Sequence, residues 1–439
     1  MSSTLPASRP ASRTFESLGN PNYRTWFIGG LVSNIGGWMA RTAQAWLVLV
    51  VLTDGNARAL GYQTAAVFLP GLLLSPVAGT VADRFGKRHI LLATCSLGLA
   101  SALVLSTLTI TGRVELWHVF ALSLVDGLAM AFDNPARQAF VSEIVETSKL
   151  PNAISLNSAS FNAARLLGPG IGGALIAAVG TGWVIGANVV AFAVMITALL
   201  MMRTELLRPA VPTKGKGGGF IAGLRYVRRR PDLLALLTVG LAVGGLGFNY
   251  GISNAVMATQ AFARGAGDYG IIGSSMGIGA LAAALWSARR GSPRLRHVLL
   301  GMAGYTVFNL ASALSPSFWL FVALQVPVGF FTITALVTGN SLLQTATAPQ
   351  MRGRVMALWG LSIMGVAPLV SPVVGWVGDA FGPRWTIGWG VVFVGVIFCA
   401  LTATIMVNDR IRVRLDWHRR APWLRIERLL TQDIGEVRR

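Results

Sequence analysis

Three charged residues, Arg41, Asp126 and Arg165, stand inside apolar stretches of this 439-residue sequence. A charge at the centre of a lipid-crossing helix costs about 2.5–3.5 kcal/mol on insertion scales. Such residues therefore face one another or a wet cavity, where they move protons or ions or hold a pair. All other acidic residues, from Glu16 to Glu436, fall in loops or at helix ends, so Asp126 is the candidate proton-coupling carboxylate. The structural alternative is an ion pair with Arg165. Helical spacing enlarges the set: Asn34, Trp38 and Arg41 fall at i, i+4 and i+7, and Asn157, Phe161 and Arg165 at i, i+4 and i+8, so each trio shares a helix face. With Gln44, and with Asn249, Tyr250, Asn254 and Gln325 later in the chain, they are the candidates for a substrate cavity. The other role open to them is hydrogen bonding between neighbouring helices. Two Arg against one Asp leave the cavity positive by one, which suits an anionic or amphipathic small molecule better than an exclusively cationic one.

Other chemistry lacks its parts. His89, His118, His297 and His418 lie at helix ends or in the tail, without metal-ligand spacing or a nucleophile–base pair. Cys95 and Cys399 are single cysteines in apolar runs, which gives neither a disulfide framework nor a thiolate site. A nucleotide-driven pump needs a phosphate loop, and six residues separate Gly79 from the Gly86-Lys87 pair where four are required. An enzyme is not expected, nor is a metal or cofactor; the expected energy source is a proton gradient.

The elements that must position these residues are membrane helices. Of the residues, 53% are apolar and 12% charged, and a helical crossing needs about 20 predominantly apolar residues. Twelve runs qualify: 24–52, 59–82, 88–111, 115–139, 152–178, 182–202, 231–257, 268–288, 296–315, 317–342, 353–378 and 383–407. The expected fold is an all-α membrane protein of twelve transmembrane helices in two six-helix bundles. The formal charge of +20 has a topological origin. Of the 37 Lys and Arg, 31 fall in the N-terminus, alternate loops and the tail, whereas the opposite loops hold Arg58, Arg113, Arg264 and Arg384. Positive loops stay in the cytoplasm, which places both termini there and argues against nucleic acid as a partner.

The chain divides into a cytoplasmic N-terminal segment (1–23), a six-helix bundle (24–202), a linker (203–230), a second bundle (231–407) and a basic amphipathic cytoplasmic tail (408–439). The first segment has no apolar core and is not expected to be a cleavable signal peptide; the first run serves as the insertion signal. In the linker, "FIAGLRYVRRR" puts Phe220, Ile221, Leu224 and Val227 on one helical face with Arg225, Arg228 and Arg229 elsewhere, an interfacial helix for anionic lipid. The tail, with Trp417, Trp423, Leu424 and Leu429 among its arginines, is expected to lie on lipid in the same way. Weak internal similarity supports a duplication: "RHILL" (88–92) returns as "RHVLL" (296–300), and Pro169 aligns with Pro372. Paired six-helix repeats are the pattern of a transporter with a site between its halves.

"GTVADRFGKR" (79–88) then adds a signature. It resembles the major facilitator superfamily loop G-x-x-x-D-R-x-G-R/K-R at Gly79, Asp83, Arg84, Gly86, Lys87 and Arg88. The resemblance implies a conformational latch, with Asp83 facing the N-terminus of the eleventh helix near Met351 to Val355, and Arg84 or Arg88 pairing with Asp133, beside Arg137, at the end of the fourth. "FDNPARQAFVSEIV" (132–145), "DYGIIGSSMGIGALAAAL" (268–285) and "MRGRVMALW" (351–359) are similar to the branch of that superfamily that holds the enterobactin exporter and macrolide efflux proteins. "GPGIGG" (168–173) fits a dinucleotide fingerprint by spacing, but it lies within an apolar helix and contains Pro169. In the superfamily, the matching residues Gly168, Pro169, Gly172 and Gly173 mark drug:proton antiporters, although Ala164 stands where an earlier glycine of that signature would fall. The resemblance implies a monomeric bacterial inner-membrane transporter that exports a siderophore- or drug-like molecule and exchanges it for protons. A passive facilitator, a transporter-like sensor and a membrane-embedded enzyme are the alternatives.

Overall fold

The structure, a computed structural model, describes residues 15–208, 220–290, 293–408, 412–415 and 424–427. Its spans in chain order are α1 (Pro21–Leu52), α2 (Ala57–Arg84), α3 (Lys87–Ile110), α4 (Leu116–Ile144), α5 (Leu150–Val179) and α6 (Thr181–Leu200). After the short helix α7 (Phe220–Arg228) come α8 (Pro231–Ala261), α9 (Ala266–Ala288), α10 (Leu295–Ala313), α11 (Phe318–Ala346), α12 (Arg352–Phe381) and α13 (Trp385–Asn408). Among the described residues, ten are long and apolar enough to cross a membrane. The other two, α2 and α10, pack within the same bundles, so the fold is the expected all-α assembly of twelve spans.

Local chemistry sets the helix ends. Asn20 accepts a hydrogen bond from the Tyr23 amide with Pro21 at the first helical position, and Asn56 accepts one from the Ala59 amide. Asp54 and Gly55 take positive φ in the turn from α1 to α2. Gly180 and Gly382 also have positive φ; each closes the helix that carries an internal proline, Pro169 in α5 and Pro372 in α12.

Trp117, Trp183, Trp319 and Trp385 are all half or more exposed, and each begins a span (α4, α6, α11, α13). Indole rings favour the membrane–water boundary, so these four mark one end of the bundle. The basic loops lie at the other, called the basic end below.

Within the first half, α1 packs on α5 and α6, α4 on α2 and α3, and α3 on α6; in the second, α11 packs on α9 and α10, and α10 on α13. The halves meet through α5 against α9 and α2 against α12. The core is divided unequally. At the tryptophan end one apolar cluster joins both halves, with Leu47, Leu60 and Ile176 packed with Ile252, Ile272, Phe318 and Val370. Toward the basic end the clusters are separate: Tyr23, Trp26, Phe140 and Met195 in the first half, and Val227, Leu233, Leu343 and Trp359 in the second.

In α7, Ile221 and Leu224 are exposed, while Val227 is buried beside Val355 and Trp359. The expected apolar face is thus shared between the surface and the start of α12. Of the tail residues expected on lipid, Trp417, Trp423 and Leu429 lie outside the described residues. So does most of the tail, and Arg412–Leu415 and Leu424–Glu427 form an antiparallel strand pair. "RVRL" and "LRIE" alternate charged and apolar residues with period two, a strand pattern.

Candidate functional site

Asp126 of α4 is neighboured by Ser101 of α3 and Gln44 of α1 and lies in the field of Arg41. Arg41 contacts the Trp38 ring at 5.2 Å from its centroid and the Met130 sulfur at 3.8 Å. Gln44 Oε1 accepts from Gln63 Nε2 at 3.4 Å, and Gln63 Nε2 also donates to Ser123 Oγ at 3.2 Å. A band of polar groups from α1, α2, α3 and α4 therefore leads through Gln44 to the carboxylate. Trp38 and Phe161 make an edge contact at 6.0 Å, and Asn34 Nδ2 donates to Ser160 Oγ at 3.4 Å. Asn157 accepts from the Tyr23 hydroxyl at 3.3 Å. Arg41 and Phe161 remain exposed although both lie well inside their spans, so the space beside them is accessible rather than packed.

The ion pair considered between Asp126 and Arg165 is not formed. Arg165 instead lies 5.2 Å from the centroid of Phe248 in the other half and in the field of Tyr250. Asp126 has the nearer cation on α1, and Arg165 points from α5 across to α8. Its contact falls at a break in α8, where Gly247 to Asn249 leave the helix. Tyr305 donates to the Gly247 carbonyl at 2.9 Å, which supplies a partner to backbone that the break sets free.

The second-half cavity candidates are buried instead of lining open space. Asn249 Nδ2 donates to the Leu246 carbonyl at 3.1 Å, and its Oδ1 accepts from Ser371 Oγ of α12 at 3.1 Å. The Tyr250 hydroxyl shares a hydrogen bond with Thr332 and accepts one from Asn309, both at 3.2 Å. Asn254 and Gln325 are almost wholly buried, each with its amide oxygen unpaired. Spacing places a residue on a helix face; it does not say whether that face meets another helix or the cavity.

The helix-5 glycines make two close interfaces. A Cβ on Gly168 would strike Trp38, and one on Gly172 would come within 3.1 Å of the Met39 backbone, so these two admit α1. A Cβ on Gly173 would lie 2.5 Å from the Ala266 carbonyl and 2.8 Å from Gly270 Cα, so this residue admits α9. Pro169 packs where Gly273 leaves room. Ser274 Oγ donates to the Leu166 carbonyl at 2.7 Å, in the turn that the proline loosens.

At the basic end, helix α2 runs through Arg84, and only Phe85 and Gly86 separate it from α3. The side chains of Asp83 and Arg84, with the surroundings of Gly79, lie outside the described residues. Gly86 is the N-cap position of α3. Lys87 pairs with Glu143 of α4 at 2.8 Å, both largely buried. Of Arg84 and Arg88, one of which was expected at Asp133, Arg84 has its side chain outside the described residues and Arg88 is elsewhere: its Nε donates to the Leu199 carbonyl at 2.8 Å, serving the carbonyls at the end of α6. Asp133 is taken by Arg137, one turn along the same helix, at 2.7 Å, and by the Thr94 hydroxyl at 3.1 Å. Arg137 also contacts the Trp26 ring at 5.4 Å.

Sequence reasoning passed over Gln63, Ser101 and Phe248. Gln63 had a signal, as the lone amide in the second apolar run; Phe248 had none, because its role comes from the break beside it.

Residues 12–436 match the transmembrane secretion effector family. The chain is 28% identical over 375 residues to the multidrug efflux pump Tap of Mycolicibacterium fortuitum, covering 81% of this chain and 88% of the relative. It is 25% identical over 348 residues to the enterobactin exporter EntS of Shigella flexneri (76% and 80% covered) and 22% identical over 402 residues to the staphyloferrin A transporter of Staphylococcus aureus (89% and 97%). Among solved structures, the fold is similar to the POT family transporter PepTSo, with a TM-score of 0.68, 12% identity and 89% and 99% coverage. It is also similar to a bacterial homologue of the human lysosomal transporter Spinster in an inward-facing and unoccupied conformation, with a TM-score of 0.64, 14% identity and 89% and 98% coverage. With twelve spans in two bundles and a family match over nearly its whole length, this multi-span membrane protein belongs to the transmembrane secretion effector family of the major facilitator superfamily, whose members here are transporters and not enzymes.

Proposed function

We propose that the chain is a secondary active efflux transporter that exports a small amphipathic or anionic molecule, siderophore- or drug-like, by alternating access and in exchange for protons. One observation carries this reading: Asp126 and Arg41 sit in a polar band of the first half, while Arg165 reaches the broken helix of the second. In this reading Asp126 takes up and releases the proton, and Arg165 supplies the fixed positive charge beside Phe248 for an anionic group of the cargo. Trp38 and Phe161 offer the apolar surface. Drug and siderophore transporters among the relatives support the cargo class. The rest of the proposal is a monomer in a bacterial inner membrane, in contact with its lipids, with both termini cytoplasmic and the proton gradient as energy source. The 31 basic residues on one side support that orientation.

The test uses purified protein in proteoliposomes. A thermal-shift screen against siderophores, macrolides and cationic dyes selects a cargo, and its export is then followed with and without an imposed pH gradient. Asp126→Asn is expected to abolish gradient-driven export and to leave cargo binding measurable. Normal coupled export by that variant removes Asp126 from the mechanism, and export by the wild type that ignores the gradient leaves a passive facilitator.

A further inference from the structure

Asp379 lies in the last turn of α12, at the negative end of its own helix dipole, where a carboxylate is unfavourable by itself. It is placed on the first turn of α2, in the other half. The Ala57 amide donates to Asp379 Oδ1 at 2.9 Å, the Arg58 amide donates to Oδ2 at 3.1 Å, and Arg58 Nε stands 3.3 Å from Oδ2. Asn56, the N-cap of α2, serves only the Ala59 amide. The carboxylate of the opposite half therefore completes the capping that Asn56 leaves open, on amides that have no partner within their own helix.

Two further contacts hold the same place. Gln260 of α8 donates to the Gly55 carbonyl in the turn before α2. A Cβ on Gly375 would run into the Ala57 carbonyl and lie 2.9 Å from Arg58 Cα, so only glycine lets α12 come this near. Arg58 is about half exposed and Asp379 is one-fifth exposed, so water reaches the pair and can replace it when the helices part.

We infer that Asp379 is a clasp: a carboxylate of the second half that caps helix α2 of the first half and holds the tryptophan end shut. The helices run antiparallel, each with its N-terminus beside the C-terminus of the other. The clasp is thus the counterpart, at the opposite end of the same helix pair, of the contact expected between Asp83 and the start of α12. Its action as one of two alternating closures rests on the alternating-access reading; its action as a closure does not.

The experiment is distance measurement by paired spin labels in the full-length protein in liposomes, with Cys95 and Cys399 replaced by Ala. One pair reports the tryptophan end, Thr111→Cys with Leu314→Cys; the other reports the basic end, Ser148→Cys with Gln350→Cys. All four positions are exposed in the structure. Asp379→Asn, which keeps the shape, is expected to raise the open fraction at the tryptophan end about three- to tenfold. Arg58→Ala, which leaves both backbone contacts, is expected to raise it about twofold or less. A second variant, Gly375→Ala, puts a wedge at the same contact and is expected to open that end as well. If the basic end narrows as the tryptophan end opens, both the clasp and the alternating reading gain. Opening with no change at the basic end supports the clasp and overturns the alternation. Unchanged distances in both Asp379→Asn and Gly375→Ala, in a wild type that still shows two populations at each end, overturn the clasp and leave alternation standing.

Discussion

The two ends of the helix bundle are built on different physical terms. At the tryptophan end the halves share one apolar cluster, and glycines bring backbone against backbone: Gly173 on Ala266, Gly61 on Ser371, Gly375 on Ala57. At the basic end each half keeps its own cluster, and among the described residues the ion pairs of Lys87 with Glu143 and Asp133 with Arg137 are internal to a half, as is the contact of Arg88 with the end of α6. Dispersion loses about a quarter to a half of its strength across a gap of about 0.5–1 Å, so an interface made of it is lost within a small separation. Ion pairs kept within each half survive as rigid units whether the halves touch or not. The difference teaches that the half-to-half contact at one end can be broken without cost to the integrity of either bundle at the other.

Breaking the closed end directly is expected to have the largest effect on transport. Gly173→Leu would drive a side chain into the Ala266 carbonyl and Gly270. Transport is expected to be lost, and overpacking costs about 1–3 kcal/mol, read as a lowered Tm in detergent. Gly30→Leu, on the same glycine-rich bundle but with open space around it, is the control that is expected to retain transport.

Breaking a half from within is next. Lys87→Ala leaves Glu143 alone in a largely buried place, and precedent for such pairs gives a loss of about 3–5 kcal/mol. The double variant Lys87→Ala with Glu143→Ala is expected to recover part of that, as a double-mutant cycle by chemical denaturation would show. Smallest is Asp133→Asn: its partner Arg137 keeps the Trp26 ring, and Thr94 keeps a hydrogen bond to the amide. The expected loss is about 1 kcal/mol, with export unchanged in the liposome assay. A large loss of export here would mean that this pair, internal to one half, nevertheless sets the conformation.

The twelve crossings could be read in the sequence because membrane helices need long apolar runs; among the described residues length and composition alone mark ten of them, and α2 and α10 join these by their packing. The glycines of "GPGIGG" were also legible as a close approach, since small residues in an apolar helix have few other uses. Which helices approach was not: Gly168 and Gly172 serve α1, whereas Gly173 serves α9, a division that depends on how the turns face in space. Asp126 stood out as a carboxylate in an apolar run, but its surroundings did not, because Gln44, Gln63 and Ser101 come from three other helices. Asn249 and Tyr250 illustrate the converse. Their polarity suggested a cavity, and the structure spends it on Ser371, Thr332 and Asn309. Asp379 looked like one more loop acid, since its meaning lies in a partner more than 300 residues away.

Gly172 and Gly173 face Met39, Ala266 and Gly270 mainly through main-chain atoms, and main-chain shape is common to all sequences. A joint made this way does not depend on which side chains occupy the chamber beside it. Trp38, Phe161 or Arg165 can therefore be exchanged during evolution, giving the chain a new cargo, while the bearing on which the two halves rest stays as it is.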